Sequence, residues 1–95
     1  MDCVKLYFKD NLIGILTYDD KNKKYVFVRN TLYKNTYIDI VMGIGNEEVT
    51  FSDYLFSFFF SFLSKYSKPD YDNEYKELLR IASSNLDKNQ FWLGV

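Results

Sequence analysis

The sequence contains no histidine, one cysteine and one proline. Without histidine, the chain lacks the commonest general base and the commonest metal ligand. Cys3 alone cannot form a disulfide within the chain, a Cys/His catalytic pair or a zinc site. We therefore expect a protein without a catalytic centre, a metal site or a cofactor.

Glycine is also scarce, with four residues. The spacing of Gly43 and Gly45 superficially resembles that of a phosphate-binding loop, but Glu48 occupies the third glycine position and no lysine follows at the required spacing. This segment is predicted to be a turn. The adjacent acid pairs Asp19/Asp20 and Glu47/Glu48 are interpreted as solvated loops rather than cation sites.

The charge balance gives no sign of a nucleic-acid partner. Twelve basic and 13 acidic side chains leave a net charge of −1, whereas nucleic-acid binding needs a clustered basic surface. The nearest candidate is a lysine-rich run at 21–24, which follows Asp19 and Asp20 in a predicted turn. Direct binding of nucleic acid is therefore not expected.

Signals for secretion and membrane insertion are absent as well. The N-terminus has no apolar signal-peptide core, and the lone cysteine gives no indication of an oxidising compartment. The apolar stretch at 55–63 has about half the length needed to span a bilayer and contains Ser57 and Ser61. We expect a cytoplasmic protein that does not enter a membrane.

Alternating apolar side chains predict strands in the first half of the chain. The period-two pattern at 4–9 and the apolar segment at 12–18 predict a hairpin, and residues 25–29 predict a third strand. Residues 30–36 are expected to form a loop with a possible helical turn. Residues 37–42 are expected to form a fourth extended segment that ends at Gly43.

The second half of the chain is predicted to be helical. One helix is expected over 51–66, with Thr50 as N-cap and Asp53 in its first turn. A second is expected from Asp70 or Asp72 to about residue 84, and a short last turn from Asp87 carries residues 91–93. The prediction is thus a single α+β domain over 1–95, mostly β over 1–46 and mostly α over 50–95, with two to three helices on an antiparallel meander of three to four strands.

Phenylalanine dominates the first of these helices. Wound at 3.6 residues per turn, its apolar side chains cover roughly 200° of arc, whereas a core-facing helix needs little more than ~100°. Such a helix must be covered on two sides, once by its own sheet and once by another helix or another protein. We predict a partner interface that includes Phe56, Phe59, Phe60 and Trp92, although Trp92 could equally close the core.

The order of these segments resembles the N-terminal subdomain of HipA-type toxin kinases and the free-standing HipS proteins of split systems. The hairpin at 4–16, with its glycine after two apolar residues, is similar to the family's opening hairpin, and residues 25–28 are similar to its third strand. Residues 38–42 fall where the family has a Ser-Leu-Ser/Thr-Leu/Met-Pro-Leu stretch. Residues 55–63 fall where it has a Phe-Phe-x-x-Leu-Leu-Pro-Asp/Glu helix, and residues 79–85 and 90–91 resemble its closing helices.

The resemblance implies a non-catalytic, antitoxin-like protein that binds and inhibits a HipA- or HipT-like serine/threonine kinase. It also implies an indirect association with a HipB-like DNA-binding protein through the complex. Two alternatives remain open at this point. One is a structural or accessory subunit that forms homo-oligomers, or supports a kinase without inhibiting it. The other is an RNA-binding sheet that uses Tyr7, Tyr18 and Tyr25 as stacking platforms.

Overall fold

Five antiparallel strands and three helices form an α+β fold in a computed structural model, which describes residues 3–45, 47–66, 74–84 and 90–95. The predicted fold class is confirmed, with one strand more than expected. In chain order, the elements are β1 (Val4–Phe8), β2 (Asn11–Asp19), β3 (Lys24–Arg29), α1 (Thr36–Met42), β4 (Val49–Ser52), α2 (Ser57–Tyr66), α3 (Glu74–Ser84) and β5 (Phe91–Gly94).

The sheet has the strand order β4-β3-β2-β1-β5. The first three strands form the predicted meander, β4 pairs with β3, and the last strand pairs with β1 at the opposite edge. Since successive side chains of a strand point to opposite faces, the register divides the sheet into a core face and an outer face. Leu16 and Phe27 are partners on the core face, and Ile15 and Val28 are partners on the outer face.

The core forms where the helices pack on the first of these faces. Phe27 and Phe59 are almost fully buried, with ring centroids 6.0 Å apart, and join the sheet to α2. The buried residues of α3 belong to the same cluster, as do Ile38 and Met42 of α1. Each described helix therefore contributes its buried side chains to this single core.

The turn between β2 and β3 is closed by Asp19, whose carboxylate accepts hydrogen bonds from the backbone N–H groups of Lys21 and Asn22 at 3.0 and 3.2 Å. The side-chain amide of Asn22 donates to the same carboxylate at 2.7 Å. These bonds, that of the Asn22 side chain first, lower the pKa of Asp19. Asp20 thus lies in the predicted turn, whereas Asp19 is the last residue of β2 and closes the turn from the end of the strand.

Residues 37–42 form a helix, so the expectation of a fourth strand there is wrong. Asn35 caps α1, its side chain accepting from the N–H of Ile38, and Gly43 ends the helix in the left-handed conformation at φ 65°. Ile38 and Met42 are both buried, and their four-residue spacing places them on one side of a helix. Arg29 and Asp39 form an ion pair that ties α1 to the end of β3.

The helix expected over 51–66 begins six residues later, at Ser57. Thr50 is not an N-cap; it lies in β4 opposite Phe27, and Asp53 forms an ion pair with Lys24. The sequence concealed this boundary because Thr50 and Asp53 match a helix start signal, and the apolar residues on either side of Ser52 and Asp53 fit a strand as well as a helix.

Residues 91–93 lie in β5 and not in a helical turn. The division into a mostly β half and a mostly α half is correspondingly less clean than expected, with one helix in the first half and two strands in the second. α3 agrees with the prediction over its described range, whereas the predicted start at Asp70 or Asp72 lies outside the described residues. Glu77 and Arg80 form an ion pair at 3.0 Å along this helix.

Gly14 provides a direct test of the core. A Cβ at this position would lie 2.4 Å from Cζ of Phe27 and 2.7 Å from the carbonyl oxygen of Val28, and the backbone oxygen cannot move aside. We expect Gly14→Ala to lower the free energy of unfolding by about 2–3 kcal/mol, measured by urea denaturation.

The matched control is Gly43→Ala, where no heavy atom lies within 4 Å of the added Cβ and only the left-handed backbone is strained. Its expected cost is about 1 kcal/mol. Equal losses for the two variants would contradict the close packing of Phe27 on Gly14.

Candidate partner-binding surface

The three phenylalanines predicted at the interface are largely covered by the chain itself. Phe59 is fully buried at 0% exposure, so its predicted accessibility to a partner is wrong. Phe56 and Phe60 are half-buried and pack against the core, and the Phe56 ring meets Phe27 edge-on at 6.4 Å. Among residues 57–65, none of the large apolar side chains is exposed. The premise of an over-wide apolar helix is therefore not supported.

Trp92 lies apart from these residues, on the outer face of the sheet. It is the register partner of Tyr7, and the two rings stack at 4.2 Å with planes 9° apart. Its indole N–H donates to the carbonyl of Lys9 at 2.6 Å. Trp92 is half-buried and lies outside the core cluster, so the alternative that it closes the core is wrong.

A set of apolar side chains lies on the same outer face, at the β4 side of the sheet. We call it the outer patch; it consists of Ile15, Val26, Val28, Val49 and Phe51, which the register joins across three strands. Phe51 is 65% exposed, and Val28 and Val49 are 39% and 38% exposed. None of the five belongs to the core cluster or packs against it.

The outer patch is unusual because the solvated face of an antiparallel sheet normally carries polar side chains. The sequence contains a signal for it that was missed. Residues 25–28 are apolar without alternation, and such a run is typical of a strand that is covered on both faces. The chain covers only one of those faces with its described helices, which leaves the second face as the candidate site.

A separate group of exposed apolar residues lies around α1. Ile40 is 75% exposed, Tyr37 is 64% exposed, and Leu32 in the preceding loop is 95% exposed. α1 packs on the core through Ile38 and Met42, so this group does not adjoin the outer patch through the sheet register. It provides a comparison surface for mutational tests.

Two tyrosines on the core face of the sheet, Tyr18 and Tyr25, cluster with Tyr75 of α3. The rings of Tyr18, Tyr25 and Tyr75 have centroids 4.8 to 6.5 Å apart, and they line a pocket of about 360 Å³ together with Glu74. Tyr7 lies on the opposite face of the sheet, so the three tyrosines considered for RNA stacking do not form one platform.

Burial influences two acidic groups in this pocket. It raises the pKa of Tyr25 strongly, and the nearby Glu74 carboxylate adds to that shift. Burial also raises the pKa of Glu74, although the hydroxyl of Tyr25 opposes the change by donating a long hydrogen bond of 3.5 Å. Burial by neighbouring side chains is the main cause of both shifts.

Comparisons with known proteins add no assignment: no family model, curated protein or solved structure matches this chain. Within the described ranges, no cluster of three or more cysteine or carboxylate side chains could hold a metal ion. None of the helices described is sufficiently long and apolar to cross a bilayer.

Alanine substitutions of two phenylalanines, Phe59 in the core and Phe51 in the outer patch, test whether the two regions contribute differently to stability. Phe59→Ala is expected to lower the free energy of unfolding by about 3–4 kcal/mol, because it empties a fully buried ring position. Phe51→Ala removes a ring that is mostly exposed and should change stability by less than about 1 kcal/mol. Urea denaturation of both variants tests this contrast, and a large loss for Phe51→Ala would show that the outer patch is structural.

The raised pKa of Glu74 predicts a stability change with pH. A carboxyl group whose pKa is raised on folding binds its proton more tightly in the folded state than in the unfolded state. Its contribution to the free energy of unfolding therefore falls as the pH rises through and above the ordinary pKa of 4.5. We expect the urea midpoint of Glu74→Gln to rise relative to that of the wild type as the pH is increased from about 3.5 to about 7. A constant difference between the two proteins across this range would contradict the shift.

Proposed function

We propose that this protein is a non-catalytic module that binds a HipA- or HipT-like serine/threonine kinase through the outer patch and restrains it. The observation that carries the proposal is a sheet face with three exposed apolar side chains, Val28, Val49 and Phe51, and no covering helix among the described residues. Burial of contiguous apolar surface is the main driving force for association, and exposed patches of this kind mark binding sites.

The kinase is named from the resemblance of the segment order to the HipA N-terminal subdomain. The partner would act with the protein in the cytoplasm, and a HipB-like DNA-binding protein would join through the complex. The missing histidine and the single cysteine favour a binding role over catalysis. The half-buried Trp92 and Tyr7 stack would lie at the β5 side of the same outer face.

Co-expression with a HipA-type kinase tests this function. The wild-type chain should co-elute with the kinase in size-exclusion chromatography and lower its autophosphorylation. Phe51→Glu should weaken the complex roughly tenfold or more, because it places a charge at the most exposed side chain of the outer patch. Isothermal titration of the purified proteins measures this change.

The matched control is Ile40→Glu, which introduces the same charge on α1 at a position that is 75% exposed. It should leave kinase binding and inhibition unchanged, and the urea midpoints should confirm that both variants fold. Absence of a complex would refute the proposal. Loss of binding in Ile40→Glu alone would move the interface to α1.

The outer patch also accommodates the alternative in which the chain is a structural subunit that pairs with itself. Sedimentation velocity of the isolated chain separates the two possibilities. A tight dimer that Phe51→Glu dissociates would favour self-association, whereas a monomer that associates only with the kinase supports the regulatory role.

A further inference from the structure

β4 is an edge strand of the sheet formed by the described residues, and its outer edge offers backbone hydrogen-bonding groups that belong to residues of the outer patch. The N–H of Arg29 donates to the carbonyl of Glu48 at 2.8 Å, which makes these residues a hydrogen-bonded pair. Bonded and non-bonded pairs alternate along an antiparallel ladder. Thr50 is therefore bonded to Phe27 of β3, and the N–H and C=O groups of Val49 and Phe51 point away from β3, towards the outer edge of the sheet.

Apart from its length of four residues, β4 carries few of the features that protect an edge strand. Natural edges are blunted by lysine, proline or a bulge within the strand, whereas β4 reads Val-Thr-Phe-Ser and pairs with β3 in an unbroken register. The opposite edge differs. In β5 the backbone N–H and C=O groups that point away from β1 belong to Phe91 and Leu93. The side chains of these two residues lie on the core face of the sheet.

Acidic side chains flank β4 at both ends. Glu47 and Asp53 are exposed and share the parity of Val49 and Phe51, so they fall on the outer face in an extended chain. Asp53 pairs with Lys24, and none of the ion pairs between described residues involves Glu47. An incoming strand with basic residues at its two ends would complement Glu47 at one end and add to the Lys24–Asp53 pair at the other.

The same charges disfavour a second copy of the chain at this edge. Self-pairing that joins Val49 to Phe51 of the other copy places Glu47 opposite Asp53, and it does so twice because the arrangement is two-fold symmetric. Like charges directly opposite each other destabilise a strand pair. The edge is therefore better suited to a different protein.

We propose that an extended partner segment, with apolar residues at alternate positions and a basic residue at each end, adds to β4 as a sixth strand. The backbone of Val49 and Phe51 binds the segment, and its apolar side chains extend the outer patch. This inference specifies the contact made in the proposed function and rests on it for the identity of the partner as a kinase.

Amide hydrogen exchange with a synthetic peptide tests strand addition without the kinase. The probe is the capped heptapeptide Lys-Thr-Val-Thr-Val-Thr-Lys at millimolar concentration, which places valines opposite Val49 and Phe51. Exchange of the amides of these two residues should slow by about fivefold, while that of Thr50, already bonded to β3, should change little. A control peptide of the same length, with glutamate in place of both lysines (the Glu-flanked peptide), should have a much smaller effect.

Two variants test the same contact in the kinase complex. Phe51→Ala removes the side chain and keeps the backbone N–H, whereas Phe51→Pro removes both and leaves the bonds to β3 in place. The Pro variant should bind the kinase at least roughly tenfold more weakly than the Ala variant. Equal affinities would overturn strand addition.

The outcomes separate the two proposals. Peptide-induced protection without kinase binding supports the β4 site and refutes the kinase as partner. A kinase complex in which the amides of Val49 and Phe51 stay unprotected keeps the function and overturns strand addition. Protection that rises with protein concentration in the absence of peptide would identify a second copy as the occupant and overturn the proposed partner strand. Equal protection by the Glu-flanked peptide would also overturn it, because the proposal requires basic ends.

Discussion

The packing of Phe27 is the contact on which the rest of the structure depends. Its ring fits over the backbone of Gly14, where a Cβ would meet it at 2.4 Å, and lies 6.0 Å from the ring of Phe59. This arrangement fixes which face of β3 receives the helices. Since side chains alternate along a strand, it also fixes Val26 and Val28 on the opposite face. The core and the outer patch are thus two consequences of one register.

This register explains why stability and binding depend on different residues. The chain buries Phe59 completely and keeps Phe51 mostly exposed, although the two residues lie in the same phenylalanine-rich run. An apolar side chain that remains exposed contributes little to folding and is available for association. The Tyr18, Tyr25 and Tyr75 cluster has the opposite character, because its rings pack against one another and its acidic groups are partly desolvated.

The sequence predicted the α+β class, the first three strands and most of α3, because alternation and helical spacing are local patterns. It did not predict α1, since Ile38, Ile40 and Val41 are β-branched and favour a strand, whereas the Asn35 cap and the burial of Met42 impose a helix. It also placed the start of α2 too early, because Thr50 and Asp53 match a helix start signal although Thr50 lies in β4. The prediction that Phe59 contacts a partner was wrong for a related reason. The burial of Phe59 depends on Phe27, which is distant in sequence and adjacent only in the fold. The apolar run of β3 was the one local clue to the outer patch.

The pairing of β5 with β1 has a consequence for synthesis of the protein on the ribosome. Lys5 and Gly94 are register partners, although nearly the whole chain separates them. The edge of β1 that pairs with β5 therefore stays unpaired until the segment through Gly94 has been translated and has left the exit tunnel. Contacts between such distant residues slow folding because a large loop must close first. During that interval one edge of β1 stays open to pairing with other chains, so the nascent chain is prone to aggregate until Gly94 has emerged.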